Sequence, residues 1–408
     1  MAEHIMDSAA ERRLDEYFTA VGETLGDDKR RASFATYAMG LLGEGDRKSM
    51  EPIAARTCPD PRTVDAAHQR IHHFVSNGAW DDRAVRRQSA RYALAAMQQH
   101  EPVVAWILDD TGFLKQGKHS VGVQRQYTGS AGKITNCQIG VSLSLATPSQ
   151  HVPVDFELYL PKSWANDKKR RREAKIPDGV SFRTKPELGL DMVQRALEDG
   201  LPRGIVLGDT AYGTNAIFRN ALRSMGLHYA LAVDSTTKCW QVDRLLRRRG
   251  EALTVKEWAA RRGKQGFRRT TWREGTRERL SARFAFMRVV PFRDDGIDPS
   301  IREDVWLVME WEDGKAAPTK YYFATLPPTV SHKRLIRTIK TRWRTERVYE
   351  DLKGELGLDH FEGRSFRGWH HHVSAVLCCY AFVVSEACLA FPPSAADDFD
   401  DDQEWFTT

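Results

Sequence analysis

Two short apolar runs, each followed by an aspartate, constrain the fold of this chain more than any other feature. Residues 103–108 are all apolar, three of them are β-branched, and Asp109 follows directly. Residues 204–207 read Gly-Ile-Val-Leu, and Gly208 then precedes Asp209. Runs of this kind are typical of strands that are buried within a sheet. We therefore predict two buried strands, each of which delivers an aspartate at its end.

A third acid lies on a predicted helix. Residues 342–353 contain neither Gly nor Pro, which favours a helix. At about 100° per residue, Arg342, Glu346 and Lys353 fall on one face of that helix. A solvated helix with i,i+4 ion pairs shows the same stripe, so the stripe alone does not define a site. Two strand-borne aspartates and a helix-borne glutamate, in that order, form the carboxylate set of RNase H-like metal nucleases.

Three motifs together carry a resemblance to a known family. The first is Leu-Asp-Asp-Thr-Gly-Phe-Leu-Lys-Gln-Gly-Lys at 108–118, and the second is Leu-Gly-Asp-Thr-Ala-Tyr-Gly at 207–213. The third is Arg342, Glu346 and Lys353, followed by Gly-Trp-His-His-His at 368–372. With these motifs the chain resembles DDE transposases of the IS4-like superfamily, closest to the IS701 family, over roughly residues 50–385. The superfamily signature Tyr-x2-Arg-x3-Glu-x6-Lys keeps its Arg, Glu and Lys here, whereas Ile339 replaces the Tyr.

The resemblance implies a function for the three acids. Asp109, Asp209 and Glu346 would be the catalytic residues and would share two Mg²⁺ ions, with Mn²⁺ able to substitute. Carboxylate and water oxygens suit Mg²⁺, and two such ions can activate a water and stabilise the leaving oxygen of a phosphodiester. Side chains alternate along a strand, so only one of the adjacent acids can face Asp209, and the resemblance favours Asp109 over Asp110.

The resemblance also implies the partner. The enzyme would cut DNA at the ends of a mobile element and use the freed 3′-OH to attack target DNA, acting as a homodimer in the DNA complex. Arg342 and Lys353 would flank the glutamate and bind phosphates. A basic ribbon after the first aspartate, with Lys115, Lys118 and Arg125, is also suited to phosphate binding.

The predicted fold class is α/β, with an RNase H-like catalytic core in which helices flank a mixed sheet. An N-terminal helical domain precedes the core, and a β-rich insertion separates the second Asp from the Glu. The predicted units are residues 1–98 (helical, DNA-binding), 99–235 (first part of the core), 236–328 (insertion), 329–391 (core helices with the Glu) and 392–408 (acidic disordered tail).

Local patterns predict the individual elements. Helices are expected at 14–25, 31–42, 49–56, 63–75, 82–99, 187–200, 214–225 and 374–389, and Ser331 should cap the helix that leads to Glu346. Strands are expected at 121–126, 136–145, 158–160 and 228–233. Further strands are expected in the insertion at 253–259, 267–274, 280–290, 305–311 and 320–325, with a hairpin turn at 312–315. Residues 162–185 form a charged connection.

Charge, cysteine usage and hydropathy argue against a secreted or membrane-spanning protein. The net charge of +6 is modest, so it does not by itself indicate a nucleic-acid partner. The arginine-bearing N-terminal helices suit either a DNA-binding module or a structural cap. Six cysteines without a Cys-x-x-Cys pair suit reduced, buried thiols. No signal peptide and no apolar run of about 18–20 residues is evident, so we expect a cytoplasmic protein without a membrane partner.

Two other functions fit the same residues. One is an RNase H-like DNA nuclease or resolvase that does not transfer strands. The other is a domesticated transposase that binds DNA without cutting it, although the intact carboxylates argue against such decay.

Overall fold

The computed structural model describes residues 8–242, 251–274, 279–293 and 303–392. The acidic tail predicted for 392–408 lies outside the described residues from position 393 onward. The described chain forms a large mixed sheet with helices packed against it.

Five helices precede the sheet, close to the predicted positions. Aspartates cap two of them, since the Asp27 carboxylate accepts from the Arg30 amide and the Asp81 carboxylate accepts from the amides of Arg83 and Ala84. The helices are α1 (Ser8–Gly22), α2 (Asp28–Leu42), α3 (Met50–Thr57), α4 (Val64–Ser76) and α5 (Asp82–Met97).

The first part of the sheet has the topology predicted for an RNase H-like core. Its elements are β1 (Ala105–Leu114), β2 (Gln124–Thr128), β3 (Lys133–Ala146), β4 (His151–Tyr159), α6 (Lys162–Ala165), α7 (Lys168–Glu173), α8 (Lys185–Glu198), β5 (Ile205–Gly208), α9 (Thr210–Gly213), α10 (Ala216–Ser224) and β6 (Tyr229–Val233). β1 pairs antiparallel with β3, which pairs antiparallel with β4. On its other side β1 pairs parallel with β5, and β5 pairs parallel with β6. This mixed order confirms the predicted fold class.

The first strand is longer than its apolar run. We predicted that it ends at Leu108, but β1 continues through both aspartates to Leu114. The reason is its partner, because β3 pairs with every residue of β1 and a backbone ladder does not require apolar side chains. β4 is also longer than the predicted 158–160, and the charged connection at 162–185 contains α6 and α7.

The β-rich insertion extends the core sheet. Its elements are β7 (Lys238–Gln241), β8 (Leu253–Thr254), α11 (Val255–Arg262), β9 (Arg268–Glu274), β10 (Arg279–Pro291), β11 (Val305–Trp311) and β12 (Lys320–Ala324). β12 pairs with β6, and β11, β10, β7 and β8 follow in order, while β9 pairs with β10. The predicted hairpin joins β11 to β12. The strand predicted at 253–259 is confirmed only for Leu253 and Thr254 and is wrong from Val255 onward, because Thr254 and Glu257 form a capping box that starts α11.

The C-terminal helices carry the third acid. They are α12 (His332–Lys340), α13 (Arg344–Gly354) and α14 (Phe366–Ala390). Ser331 caps α12 as predicted, by accepting from the Arg334 amide. A 3₁₀ turn at Thr341–Trp343 separates α12 from α13, so the predicted helix at 342–353 is not continuous.

α14 is the central core helix. It is long and apolar enough to cross a membrane by length and composition, which the sequence analysis did not foresee, yet 72% of its apolar window is buried inside the protein. Its three adjacent histidines are buried and bonded within the protein. Hydrophobic residues of α1–α5 share one core with it, and the Tyr17 hydroxyl donates to the Cys378 carbonyl at 2.8 Å.

Candidate active site

Two aspartates follow the last paired residues of the parallel strands β1 and β5. In the register of β1 and β5, Ile107 pairs with Leu207, and Asp109 and Asp209 each lie two residues further on. The carboxylate of Asp209 also caps α9 by accepting from the Ala211 amide at 2.9 Å. The sheet therefore brings together two of the three predicted catalytic acids.

Arg342 connects this pair to the third acid. Its Nη1 donates to Asp109 Oδ2 at 2.8 Å, and its Nη2 lies 3.9 Å from Glu346 Oε1. The Asp109 side chain is 13% exposed, whereas that of Glu346 is 70% exposed. The structure therefore places Glu346 beside the same guanidinium, but on the solvent side of it.

The electrostatics of the aspartates are those of a crowded acidic site. Burial raises the pKa of Asp109 to about 7; Arg342 opposes this shift, and the charge of Asp209 adds to it. Burial, followed by the charge of Asp110, raises the pKa of Asp209. Burial thus outweighs the ion pair with Arg342, and like charges add to it. A bound cation would favour the ionised form of both aspartates.

Asp110 belongs to the same cluster. Lys185, at the start of α8, donates from Nζ to Asp110 Oδ2 at 2.9 Å, and the Asp110 amide donates to Asp109 Oδ1 at 2.9 Å. Strand alternation predicts that only one of the adjacent acids faces Asp209, but the pKa of Asp209 responds to Asp110 as well. Lys185 is a site residue that the sequence analysis missed, and its position at the N-terminus of the predicted 187–200 helix gave no local signal.

The ammonium group of Lys353 bonds to β1 and not to Glu346, with which it was predicted to share a helix face. Its Nζ donates to Thr111 Oγ1 and the Gly112 carbonyl, both at 2.8 Å, and to Ser130 Oγ at 3.2 Å. These three bonds use all three donor hydrogens of an ammonium group. The structure therefore holds Lys353 against the strand that carries Asp109.

The predicted basic ribbon has two exposed members. Lys118 and Arg125 are exposed, and within the described residues neither side chain makes a hydrogen bond or an ion pair. Lys115 is half-buried, and its Nζ donates to the Phe361 carbonyl at 2.7 Å. The ribbon thus presents Lys118 and Arg125 to solvent and holds Lys115 against the segment after α13.

A phenol that the sequence analysis did not single out packs behind Asp109. The hydroxyls of Tyr349 and Ser142 share a hydrogen bond of 2.6 Å, and Ser142 is the β3 partner of Asp109. The Tyr349 hydroxyl therefore bonds to the side chain of the residue that faces Asp109 on β3. Tyr349 lies three positions after Glu346 on α13. Residues with this spacing lie on the same side of a helix, and this was the sequence signal that could have identified Tyr349.

The carboxylate set can be tested against a divalent metal. Asp109 and Asp209 supply the oxygen donors that Mg²⁺ prefers, and their mutual repulsion is what a cation relieves. In the part of the chain that the structure describes, no group of three or more His, Cys, Asp or Glu side chains lies close enough to hold an ion. The two aspartates fit a metal, and Glu346 stands apart from them beside Arg342.

A mixed sheet of order β4–β3–β1–β5–β6, with acids just beyond the parallel pairing of β1 and β5, is that of an RNase H-like protein. Two protein-family models match the chain and identify its family. A model described as "DDE superfamily endonuclease" matches residues 20–279, and one described as "Transposase DDE domain" matches residues 186–382. The chain belongs to the DDE superfamily endonucleases, a group that generally uses divalent metal ions.

A curated relative gives a finer likeness. The chain is similar to a "Probable transposase for insertion sequence element IS701" from Microchaete diplosiphon, with 26% identity over 223 residues. The match covers 54% of this chain and 54% of the relative, so it spans about half the length of each. The predicted resemblance to DDE transposases is therefore confirmed.

Proposed function

We propose that this protein is a DDE transposase that cleaves DNA at the ends of its mobile element and joins the 3′-OH ends to target DNA. The observation that carries the proposal is the pair of half-buried carboxylates, Asp109 and Asp209, just beyond the parallel pairing of β1 and β5, with Arg342 against one of them. Family membership supports the transposase class.

Each of the site residues has a proposed role. Asp109 and Asp209 would hold divalent ions, with Glu346 as the third carboxylate. Two Mg²⁺ ions, or Mn²⁺ in their place, would supply water activation and stabilisation of the leaving oxygen. Arg342 pairs with half-buried Asp109 and is itself more exposed, so it lies where a DNA phosphate would arrive.

DNA binding is proposed for the cations around this site. Lys118 and Arg125 project into solvent from the segment that follows β1, and Lys115 anchors that segment. Lys353 is proposed to approach the DNA from the last turn of α13, where its ammonium group lies against β1. We further propose that two copies of the chain act on a pair of ends, and that the protein works in the cytoplasm on nucleoid DNA.

A cleavage and joining assay tests the function. A labelled duplex that carries the DNA flanking the gene is incubated with supercoiled plasmid and Mg²⁺ or Mn²⁺. We expect Asp109→Asn, Asp209→Asn and Glu346→Gln each to abolish cleavage, because each change removes a carboxylate at nearly constant shape. Glu350→Gln is the matched control, since Glu350 is an exposed acid on the same helix.

The outcomes separate the alternatives. Cleavage followed by joined plasmid supports the transposase, whereas cleavage without joining leaves a nuclease or resolvase. Binding without cleavage leaves a domesticated DNA-binding protein. If Glu346→Gln cuts like the wild type, Glu346 is not the third carboxylate.

A further inference from the structure

Tyr212 lies on α9, three residues after Asp209. Its ring is wedged between neighbours that leave it no freedom. A Cβ added at Gly189 of α8 would lie 3.2 Å from Tyr212 Cε1 and 3.3 Å from Leu108 Cδ1. A Cβ added at Gly208 would lie 3.3 Å from Tyr212 Cβ. The ring therefore packs close to Leu108 and Gly208, the residues that directly precede Asp109 and Asp209.

The hydroxyl of this buried ring has no partner. Tyr212 is fully buried, and among the described residues its Oη atom makes no hydrogen bond. Other buried tyrosines differ, since the Tyr17 hydroxyl donates to the Cys378 carbonyl and the Tyr37 hydroxyl shares a hydrogen bond with His372. A buried hydroxyl without a partner costs about 1–3 kcal/mol, which a phenylalanine of the same shape would avoid. Packing alone therefore does not explain the hydroxyl.

The charges of the candidate site act on this hydroxyl. Burial, and then the negative charges of Asp110, Asp109 and Asp209, raise the pKa of Tyr212 well above its ordinary value. The phenol consequently keeps its proton and can act only as a neutral group that donates or accepts. Carboxylates accept hydrogen bonds and cannot donate them when ionised. An unpaired donor thus lies next to the residues that precede Asp109 and Asp209, and the charges of the acidic site act on it.

We propose that Tyr212 is a positioning residue of the carboxylate site, whose hydroxyl donates to an aspartate of the Asp109–Asp110–Asp209 cluster and orients it for a divalent cation. The proposal rests on the proposed function, because it uses the same acids. A donor of this kind acts on a metal ligand and not on DNA, and such partners fix the orientation of a ligating oxygen.

Metal binding and apo stability together test this role. Tyr212→Phe is compared with the wild type in a thermal melt in EDTA and in a Mn²⁺ titration followed by electron paramagnetic resonance of the free ion. We expect the melting temperature in EDTA to stay the same or rise, because the change removes an unpaired buried hydroxyl. We expect the Kd for Mn²⁺ to increase about tenfold or more.

Tyr17→Phe is the matched control. Tyr17 is equally buried, but its hydroxyl has a partner far from the acids. This control should lower the melting temperature in EDTA and leave the Kd for Mn²⁺ unchanged. If Tyr212 were purely structural, Tyr212→Phe would behave like Tyr17→Phe, with a lower melting temperature and an unchanged Kd for Mn²⁺.

Asp209→Asn distinguishes the two levels of the proposal. If Asp209→Asn loses Mn²⁺ binding and Tyr212→Phe keeps it, the carboxylate site stands and the role of Tyr212 is overturned. A lower melting temperature of Tyr212→Phe in EDTA, with an unchanged Kd, overturns that role as well. If Asp209→Asn binds Mn²⁺ like the wild type, the metal site itself is overturned, and the role of Tyr212 with it.

Discussion

The guanidinium of Arg342 donates to the Asp109 carboxylate at 2.8 Å, across 233 positions of sequence. This bond ties the 3₁₀ turn before α13 to the central strand of the sheet. It also means that the cation nearest to Glu346 is already engaged with a different acid. The arrangement makes Arg342 the link between half-buried Asp109 and exposed Glu346.

Removal of Arg342 should shift the pH dependence of cleavage. Arg342 lowers the pKa of Asp109, whose value is about 7 with this cation in place. In Arg342→Ala the pKa should therefore rise, and the acidic limb of the pH–rate profile should move to higher pH. Cleavage at neutral pH should fall by orders of magnitude. Arg347→Ala, an exposed neighbour on α13 that pairs with Asp351, should leave the profile in place.

Lys353→Ala should destabilise the fold. The variant leaves Thr111, the Gly112 carbonyl and Ser130 without their shared donor. We expect a loss of about 1–3 kcal/mol in the free energy of unfolding, measured with urea. Lys333→Ala, an exposed lysine on α12, should change it by less than about 0.5 kcal/mol. An unaltered unfolding curve for Lys353→Ala would show that these bonds do not form.

A buried ion network joins α5 to the sheet. Truncation before β1 removes this network and should unfold the protein, and loss of Arg86 alone should destabilise it. Arg86 Nη1 donates to Asp82 Oδ2 at 2.6 Å, and its Nε lies 3.2 Å from Asp155 Oδ1 on β4. Arg86→Ala should cost about 3 kcal/mol in a urea melt, because it leaves buried acids with less compensation. The control Arg87→Ala removes a more exposed pair with Asp199 and should cost under about 1 kcal/mol.

The stability of the protein should fall as the pH drops from about 6.5 to 4. Burial lowers the pKa of His372 to about 4, and it does the same for His371. The unfolded state therefore takes up protons that the folded state does not, so stability is complete above pH 6.5 and is lost below it. One such imidazole accounts for about 3 kcal/mol at pH 4.

His372→Gln tests the origin of that pH dependence. The variant should be less stable at pH 7, because the Tyr37 hydroxyl loses its 2.7 Å partner. Its stability should nevertheless change less steeply between pH 6.5 and 4, by about one proton. His119→Gln, at an exposed position, should keep the wild-type slope.

The exposed cations after β1 should contribute to the salt dependence of DNA binding. If Lys118 and Arg125 each contact one phosphate, alanine at either position should reduce the slope of log Kd against log salt by roughly one unit. A gel shift over a range of salt measures this. Lys133→Ala, exposed at the start of β3, is the control, and equal slopes in all variants would place the DNA elsewhere.

Local sequence determined most of the secondary structure, because caps and periodicity act over a few residues. Ser331 begins α12, the 312–315 turn joins β11 to β12, and the apolar runs at 103–108 and 204–207 became paired parallel strands. β4 was also within reach, since its apolar positions alternate from 152 to 158. The capping box of Thr254 and Glu257 was a local signal for a helix start, but the aromatic and β-branched residues of this segment favoured a strand.

Only the tertiary structure decided which side chains meet. Whether β1 stops at Leu108 or runs on to Leu114 depends on the β3 ladder, and the partners of Arg342 and Lys353 lie more than 200 positions away. Helical spacing placed Arg342, Glu346 and Lys353 on one stripe, yet the 3₁₀ turn and the packing of α13 on the sheet send the two cations to β1. Periodicity fixes the face of an element, whereas the register of the sheet fixes what that face contacts.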